Sequence, residues 1–348
     1  MDSPTTCYDV LILGDGPAGL SAALTLARGD RSAILLSSGS YRNRGVAALH
    51  SVLGHDGESP EQFRAGAREQ LRQKYPNIVM AEGEMIVQAR QVDFSYQGRS
   101  LKGFRLQSAG GRSFYGRKLI WAAGARDCFP EDVPGSAACW PSHIHHCLFC
   151  DGLEQIRERP EAGVAVLAYP WKPIYGYLAM QVASLQPARV VVLTNGDIPE
   201  HEQEAVDKAL RLARGVGCTV ENRRISQLRL SDSTESSLVT VDFTDGSHDE
   251  FVFLINKPKT DITSRGLVEQ LGLELEDTPH LGTIIKRREP CGETNIPGLY
   301  VIGDAGTHAK QIVIAMAQGG YAVDSLWGEL LTEDAERKIQ EAGGGAGV

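Results

Sequence analysis

The sequence has no run of 18 apolar residues, so no transmembrane helix is expected. It has no excess of positive charge. The 35 Lys and Arg stand against 44 Asp and Glu, a net charge of −9, which argues against a nucleic-acid-binding face. A small anionic ligand stays possible, because a helix N-terminus can hold one without Lys or Arg. No basic segment precedes the first apolar run: Met1 to Cys7 leads directly into Tyr8-Asp9-Val10-Leu11-Ile12-Leu13. That predicts no secretory signal and a cytoplasmic protein. The cysteines are seven, an odd number in a chain of 348 residues, which disfavours a secreted disulfide framework. Low-complexity composition is also missing, so global disorder and collagen are excluded and the length suggests two domains.

What is present begins with strand, glycine-rich turn and helix. Val10 to Leu13 is continuously apolar, as in a parallel strand buried on both faces. Gly14-Asp15-Gly16-Pro17-Ala18-Gly19 follows, then a helical run Leu20 to Ala27 and a second strand Ala33 to Leu36. Strand-rich segments at Met85 to Tyr96 and Phe104 to Phe114 predict an inserted antiparallel layer. Lys118 to Gly124 predicts a return to the buried sheet. The pattern repeats with strand Val164 to Ala168, helix Ile174 to Leu185 and strand Arg189 to Leu193. Glu202 to Val216 predicts a further helix, and Ser237 to Phe243 and Glu250 to Ile255 antiparallel strands. Strand Gly298 to Asp304 and a long helix Gln311 to Leu331 then return the chain to the first domain. The expected fold is therefore α/β, with two nested Rossmann-like domains of three layers (ββα): residues 1–124 and 258–348, with 125–257 inserted between them. The Gly-rich C-terminus, Gly343 to Val348, is expected to fray.

Gly14, Gly16 and Gly19 fit G-x-G-x-x-G between a strand and a helix. The first glycine permits the turn, the second lets the backbone approach a pyrophosphate, and the third lets helix and strand pack closely. An acidic residue normally ends the second strand and binds the ribose; Ser37-Ser38 stand there, offering hydroxyls but no carboxylate. Gly303-Asp304 ends a later strand, where a carboxylate could accept from a cofactor hydroxyl, ahead of the helix near Gln311. Cys147-Leu148-Phe149-Cys150 is a C-x-x-C pair. Such a pair can close a disulfide, and a helix start would lower one thiol's pKa. Zinc needs two more ligands, which His143, His145 or His146 could supply, and a purely structural pair is the third option. Cys7, Cys128, Cys139, Cys218 and Cys291 read as buried or surface thiols.

These motifs, in this order and over nearly the whole chain, resemble low-molecular-weight thioredoxin reductases. The matching residues are Gly14 to Gly19, Trp121-Ala122-Ala123-Gly124, Cys147 to Gly152, and Gly303-Asp304 with Lys310-Gln311-Ile312. The resemblance implies FAD in the first domain, a redox-active disulfide in the second, a homodimer and no bound metal. It implies FAD contacts from Gly14, Gly16, Pro17, Ala18, Gly19, Ser37, Ser38, Val87, Ala123, Gly124, Gly303, Asp304, Gln311 and Ile312. It makes Cys150 the cysteine nearer the flavin, Cys147 the one that exchanges with substrate, and Asp151 the proton-handling acid. His145 and His146 remain base candidates, since an imidazole titrates in the useful range.

The second domain departs from the family. Where an NADPH-binding member has a glycine-rich turn, this chain has Ala168-Tyr169-Pro170-Trp171-Lys172-Pro173. The side chains would fill the pyrophosphate space and the prolines remove N–H donors. Where arginines should clamp the 2′-phosphate stand Thr194-Asn195-Gly196-Asp197. The expected traffic is thus from a substrate dithiol through Cys147–Cys150 to FAD and on to O2. This departure resembles a fungal branch, of gliotoxin and holomycin type, that closes disulfides in small natural products. Tyr41-Arg42-Asn43-Arg44 and Leu53-Gly54-His55-Asp56-Gly57 share that resemblance. It implies that Arg42, Asn43, His50 and His55 lie near the cofactor, and a reduced dithiol on a scaffold such as a dioxopiperazine. The competing readings are an NADPH-dependent reductase with a divergent nucleotide site, a reductase fed by ferredoxin or another flavoprotein, and a flavin-bound sensor without turnover.

Overall fold

The computed structural model describes residues 4–196, 203–230 and 238–343. Asp197, Glu202, Ser237 and residues 344–348 lie outside the described residues. The chain divides into two units: Met1–Arg44, Glu61–Arg126 and Thr260–Val348 form unit 1, and Gly45–Pro60 and Asp127–Lys259 form unit 2. Residues 45–60, which the sequence reading kept in the first domain, group with unit 2. Their partners are distant in sequence: Ser51 Oγ donates to the Phe149 carbonyl at 3.0 Å.

In chain order the elements are β1 (Tyr8–Leu13), α1 (Pro17–Arg28), β2 (Ala33–Ser37), α2 (Pro60–Lys74), β3 (Ile78–Glu82), β4 (Ile86–Tyr96), β5 (Arg99–Ser108), β6 (Ser113–Trp121) and β7 (Ala125–Cys128). There follow α3 (Ser136–Cys139), β8 (Ile144–His145), α4 (Leu153–Glu158), β9 (Gly163–Leu167), α5 (Ile174–Ser184), β10 (Arg189–Leu193), α6 (Gln203–Gly215) and β11 (Thr219–Glu221). Then come β12 (Ile225–Leu230), β13 (Val239–Phe243), β14 (His248–Phe251) and β15 (Leu254–Ile255). The last elements are β16 (Lys259–Ile262), α7 (Arg265–Leu271), β17 (Leu275–Thr278), β18 (Gly282–Ile285), β19 (Leu299–Val301) and α8 (Ile312–Gly343).

Unit 1 is built on a sheet of order β3-β2-β1-β6-β5-β4, with β19 also paired to β6. Because side chains alternate across a strand, β1 feeds two cores. Val10 and Ile12 pack with Leu26, Leu326 and Leu330 on the helical face. Leu11 and Leu13 pack with Phe104, Leu106 and Trp121 on the other. The strand-rich segment Phe104 to Phe114 lies in an antiparallel layer with β4 and is divided by a turn at Ala109–Arg112, where Gly111 adopts φ +83°. A single strand, β6, then serves both layers: it pairs antiparallel with β5 and parallel with β1 and β19.

Unit 2 repeats the plan. Its parallel sheet runs β11-β10-β9-β15-β8. Val164 and Val166 face Ala179 and Val182 of α5, while Ala165 and Leu167 face Leu228, Val239 and Val241 of the β12-β13-β14 layer. Both units are thus Rossmann-like, as their sequence patterning implies. Helix α8 runs on past Leu331, where the apolar pattern fades, because ion pairs hold it: Glu329 and Glu333 with Lys118, each at 2.6 Å, and Asp334 with Arg31 at 2.7 Å.

Candidate active site

Unit 1 presents the glycine turn. Gly14 has φ +108°, and a Cβ there would lie 2.4 Å from the Ala122 carbonyl oxygen; one on Gly19 would lie 1.9 Å from the Gly14 oxygen. Both positions therefore exclude any side chain. A Cβ on Gly16 would meet nothing within 4 Å. Gly16 caps α1 without a side-chain hydrogen bond, and Pro17 opens the helix. Pro17 and Ala18 thus stand at a helix start whose first-turn N–H groups no capping side chain satisfies, which is the geometry an anionic pyrophosphate takes. These residues fit the dinucleotide half of FAD.

The neighbouring side chains are more tied up than the sequence suggested. Buried Asp15 accepts from the Ser37 hydroxyl, from Tyr41 Oη at 2.9 Å and from Arg68 at 2.7 Å. The Ser37 hydroxyl proton is thus committed to Asp15, and its oxygen also accepts the Gly39 N–H at 3.2 Å. Ser38 is exposed and only accepts the Ser40 N–H, at 3.4 Å. Asp304 is paired with Arg42 at 3.0 Å, and Lys310 Nζ donates to the Asp304 carbonyl at 2.7 Å. Asn43 Oδ1 accepts from Arg64 at 3.1 Å, whose guanidinium lies 3.8 Å from the Tyr41 ring centroid. The Ala123 carbonyl accepts from Thr263 at 2.8 Å beside Gly124 at φ +75°. Gly303, at φ +68°, would place a Cβ 2.9 Å from that of Ala18. Gln311 immediately precedes Ile312, the first residue of α8. Val87 lies on β4, half exposed, its carbonyl accepting from Gln270 at 3.2 Å.

Unit 2 carries the redox loop. Cys147 and Cys150 are joined as a disulfide with Cα atoms 5.3 Å apart. The Cys147 carbonyl accepts the Cys150 N–H at 3.1 Å and the Asp151 N–H at 3.2 Å. Gly152 then turns the chain at φ +106°, where a Cβ would come within 2.7 Å of the Phe253 ring. The pair does not sit in a helix's first turn, as the sequence reading supposed. Helix α4 begins only at Leu153 and has six residues, so its dipole offers the thiols little.

The histidines also fall differently. His145 is buried in β8, with Nε2 2.5 Å from Gln155 Oε1 and its ring packed on Phe253. Burial lowers its pKa to about 4, so at neutral pH it is a core histidine. His146 stacks on Trp140 at 5.1 Å, with Nδ1 3.9 Å from Asp127. The imidazole that does meet the redox loop is His50. It lines a cavity of about 380 Å³ together with Asp56, Phe149, Asp151, Glu154 and Leu185. Its Nδ1 lies 3.4 Å from Asp56 and its Nε2 4.0 Å from Glu154. His55 pairs instead with Glu58 at 2.6 Å. Asp151 has its pKa raised to about 7, chiefly by burial and further by Glu154, with His50 opposing.

The turn after β9 is filled. Trp171 and Lys172 are only 5% and 2% exposed. Trp171 belongs to the core with Tyr175, and Lys172 Nζ donates to the Lys257 carbonyl. Tyr169 donates to Asp132. Asn256 closes the turn from below, donating to the Leu167 carbonyl at 2.7 Å and the Tyr169 carbonyl at 3.1 Å. After β10, Thr194 donates to Asn222 Oδ1, and Asn195 Oδ1 accepts the Ile225 N–H at 2.6 Å.

Residues 8–319 match the model of the pyridine nucleotide-disulphide oxidoreductase family. The thioredoxin reductase aclD of Aspergillus oryzae is 33% identical, over 94% of this chain and 98% of its own length. The chain is a thioredoxin reductase-like member of that family. The thioredoxin reductase sirT of Leptosphaeria maculans is 31% identical, over 90% of this chain and 91% of its own. An oxidoreductase from Agrobacterium tumefaciens superposes with a TM-score of 0.79 and 28% identity, covering 94% and 99% of the two chains. Membership makes this thioredoxin reductase-like protein a flavin-dependent disulfide oxidoreductase, and the family implies FAD binding. Among the described residues no helix is long and apolar enough to cross a membrane, and no three His, Cys, Asp or Glu side chains gather for a metal.

Sequence reasoning missed Asp56, Glu154 and Lys172. Nothing local marks the first two, which join the loop only through the fold. A basic residue inside an apolar turn, Lys172, was the available signal for the third.

Proposed function

We propose that this protein is an FAD-dependent dithiol oxidase that closes a disulfide in a small-molecule dithiol, with O2 as electron acceptor and H2O2 as product. The observation that carries this reading is the filled turn after β9. Trp171 is packed into the core in the turn where a nucleotide-binding member has glycines, and Pro170 and Pro173 have no N–H to offer a pyrophosphate.

A substrate thiolate attacks Cys147 Sγ, the exchanging sulfur by family resemblance. A substrate–Cys147 bond forms, the Cys147–Cys150 bond breaks, and Cys150 leaves as thiolate. The second substrate thiol gives its proton to the Asp151 carboxylate. It then attacks the first substrate sulfur and expels the Cys147 thiolate. The substrate loses two electrons and two protons, and the protein disulfide gains the two electrons. With a pKa near 7, Asp151 can both take and return a proton at neutral pH. Bound FAD supplies the two-electron acceptor that reoxidises the dithiol and passes the electrons to O2. A cytoplasmic homodimer is part of the same proposal.

The relatives' names favour a second reading, an NADPH-dependent disulfide reductase. One anaerobic experiment separates the two. A small dithiol should bleach the yellow protein, and admitted air should restore the colour with peroxide. Prompt bleaching by NADPH would establish the reductase instead.

A further inference from the structure

We propose that the cavity walled by residues 45–60 and the redox loop is the dithiol-binding site, and that it selects small apolar dithiols without negative charge. The inference rests on the dithiol-oxidising reading above and deepens it.

Three observations meet at one place. First, the cavity borders the redox loop: Leu148 and Phe149, the two residues between the cysteines, form part of its wall. Second, that stretch of wall is apolar. Phe149 is 64% exposed on the turn, a large ring left in water beside a bond that must be reached by substrate. Leu153 and Leu185 extend the apolar surface. At about 380 Å³ the space is at the small end of ligand pockets, which run from roughly 300 to 1,000 Å³. Third, its charged members are of one sign apart from His50. Asp56 and Glu154 face the cavity with the imidazole between them, and Asp151, only partly ionised at neutral pH, lines it too. A cleft lined by one sign of charge focuses the field. The chain's net charge of −9 adds to it. An arriving carboxylate meets repulsion and no Lys or Arg in the wall, whereas a neutral or cationic scaffold meets none.

The segment that completes this wall is inserted between β2 and α2, in the midst of unit 1's chain, yet belongs to unit 2. Ser51 ties it to the loop through the Phe149 carbonyl. His50 is therefore a wall residue of the thiol site.

The test uses a matched pair, dihydrolipoamide and dihydrolipoate, which differ in one carboxylate. FAD-loaded protein is mixed anaerobically with each, quenched with an alkylating agent, and the labelling of Cys147 and Cys150 is followed by mass. Opening of the disulfide by dihydrolipoamide should be about fivefold faster or more, and Asp56→Asn with Glu154→Gln should narrow the ratio toward one. Filling the far wall by Gln181→Trp or Ser184→Trp should slow both dithiols about tenfold. Equal rates for the two dithiols in the unaltered protein would overturn the charge selection while leaving dithiol oxidation standing. Full rates in both filled variants, with helical content unchanged by circular dichroism, would place the site elsewhere. Failure of both dithiols to open the disulfide would remove the oxidase reading and this inference together.

Discussion

The two units place a turn at the same point of the same topology, after a central parallel strand and before a helix. They treat it in opposite ways. After β1 the turn is stripped of side chains. Gly14 and Gly19 cannot carry a Cβ, and Gly16 opens onto space. After β9 the turn is packed with side chains: Trp171 joins the core and Lys172 is buried against the Lys257 carbonyl. Both helices have a proline at the start, Pro17 in one and Pro173 in the other. The backbone plan is duplicated and the ligand chemistry is not. A βα turn is a site only when its residues keep it empty, so function has to be read from the turn and not from the fold.

The strongest way to break this comparison is to remove the redox pair that unit 2 carries. Cys150→Ser should leave yellow, folded protein with no dithiol turnover; activity at the original level would eliminate the relay. Next in size is Trp171→Ala. A buried aromatic truncation costs about 3–5 kcal/mol, so the urea midpoint should fall markedly, yet NADPH oxidation should not appear. Strong NADPH oxidation in that variant, or in Tyr169→Gly with Trp171→Gly, would show that the filled turn alone had closed the site.

Asp151→Asn sharpens the contrast from the chemical side. Loss of a general acid–base group costs roughly a hundredfold or more, and the inflection near pH 7 in formation of the substrate disulfide should vanish. The sign for stability is also fixed. The folded protein holds the Asp151 proton up to about pH 7 against 3.8 for the ordinary group. Its contribution to stability is complete below pH 3.8 and fades as the pH rises toward 7. The Tm of Asp151→Asn should therefore gain on the unaltered protein from pH 4 to pH 8. A constant difference would contradict the raised pKa. Smallest is Gly16→Val, whose side chain enters the open space before α1. That space is where the first-turn N–H groups of α1 would meet a pyrophosphate, so flavin retention on gel filtration should weaken; unchanged yellow protein would put the cofactor elsewhere.

Much of this was legible in one dimension. Apolar runs and turn residues located β1, α1, β2, β9, α5 and β10, because period and punctuation are local properties. The glycine turn and the C-x-x-C pair were visible for the same reason. What local pattern does not carry is partnership across the chain. Ser37 looked free because Asp15 is 22 residues away. His145 and His146 looked available because burial is invisible in sequence. Nothing near His50 in the sequence says that residues 45–60 pack on the redox loop. Helix α8 looked shorter because its last turns are held by ion pairs and not by apolar spacing.

The division of the chain has a consequence for how the protein is made. Every element of unit 2 has left the ribosome by residue 259, whereas unit 1 still lacks β19 and α8, whose Tyr300, Leu326 and Leu330 complete its helical core. The half that starts the chain is therefore the last to close. During synthesis the apolar helical face of β1 and β2, covered by then only by α1 and α2, must wait for α8 while its neighbour finishes folding. Such transient exposure is a hazard that nascent chains meet with chaperones.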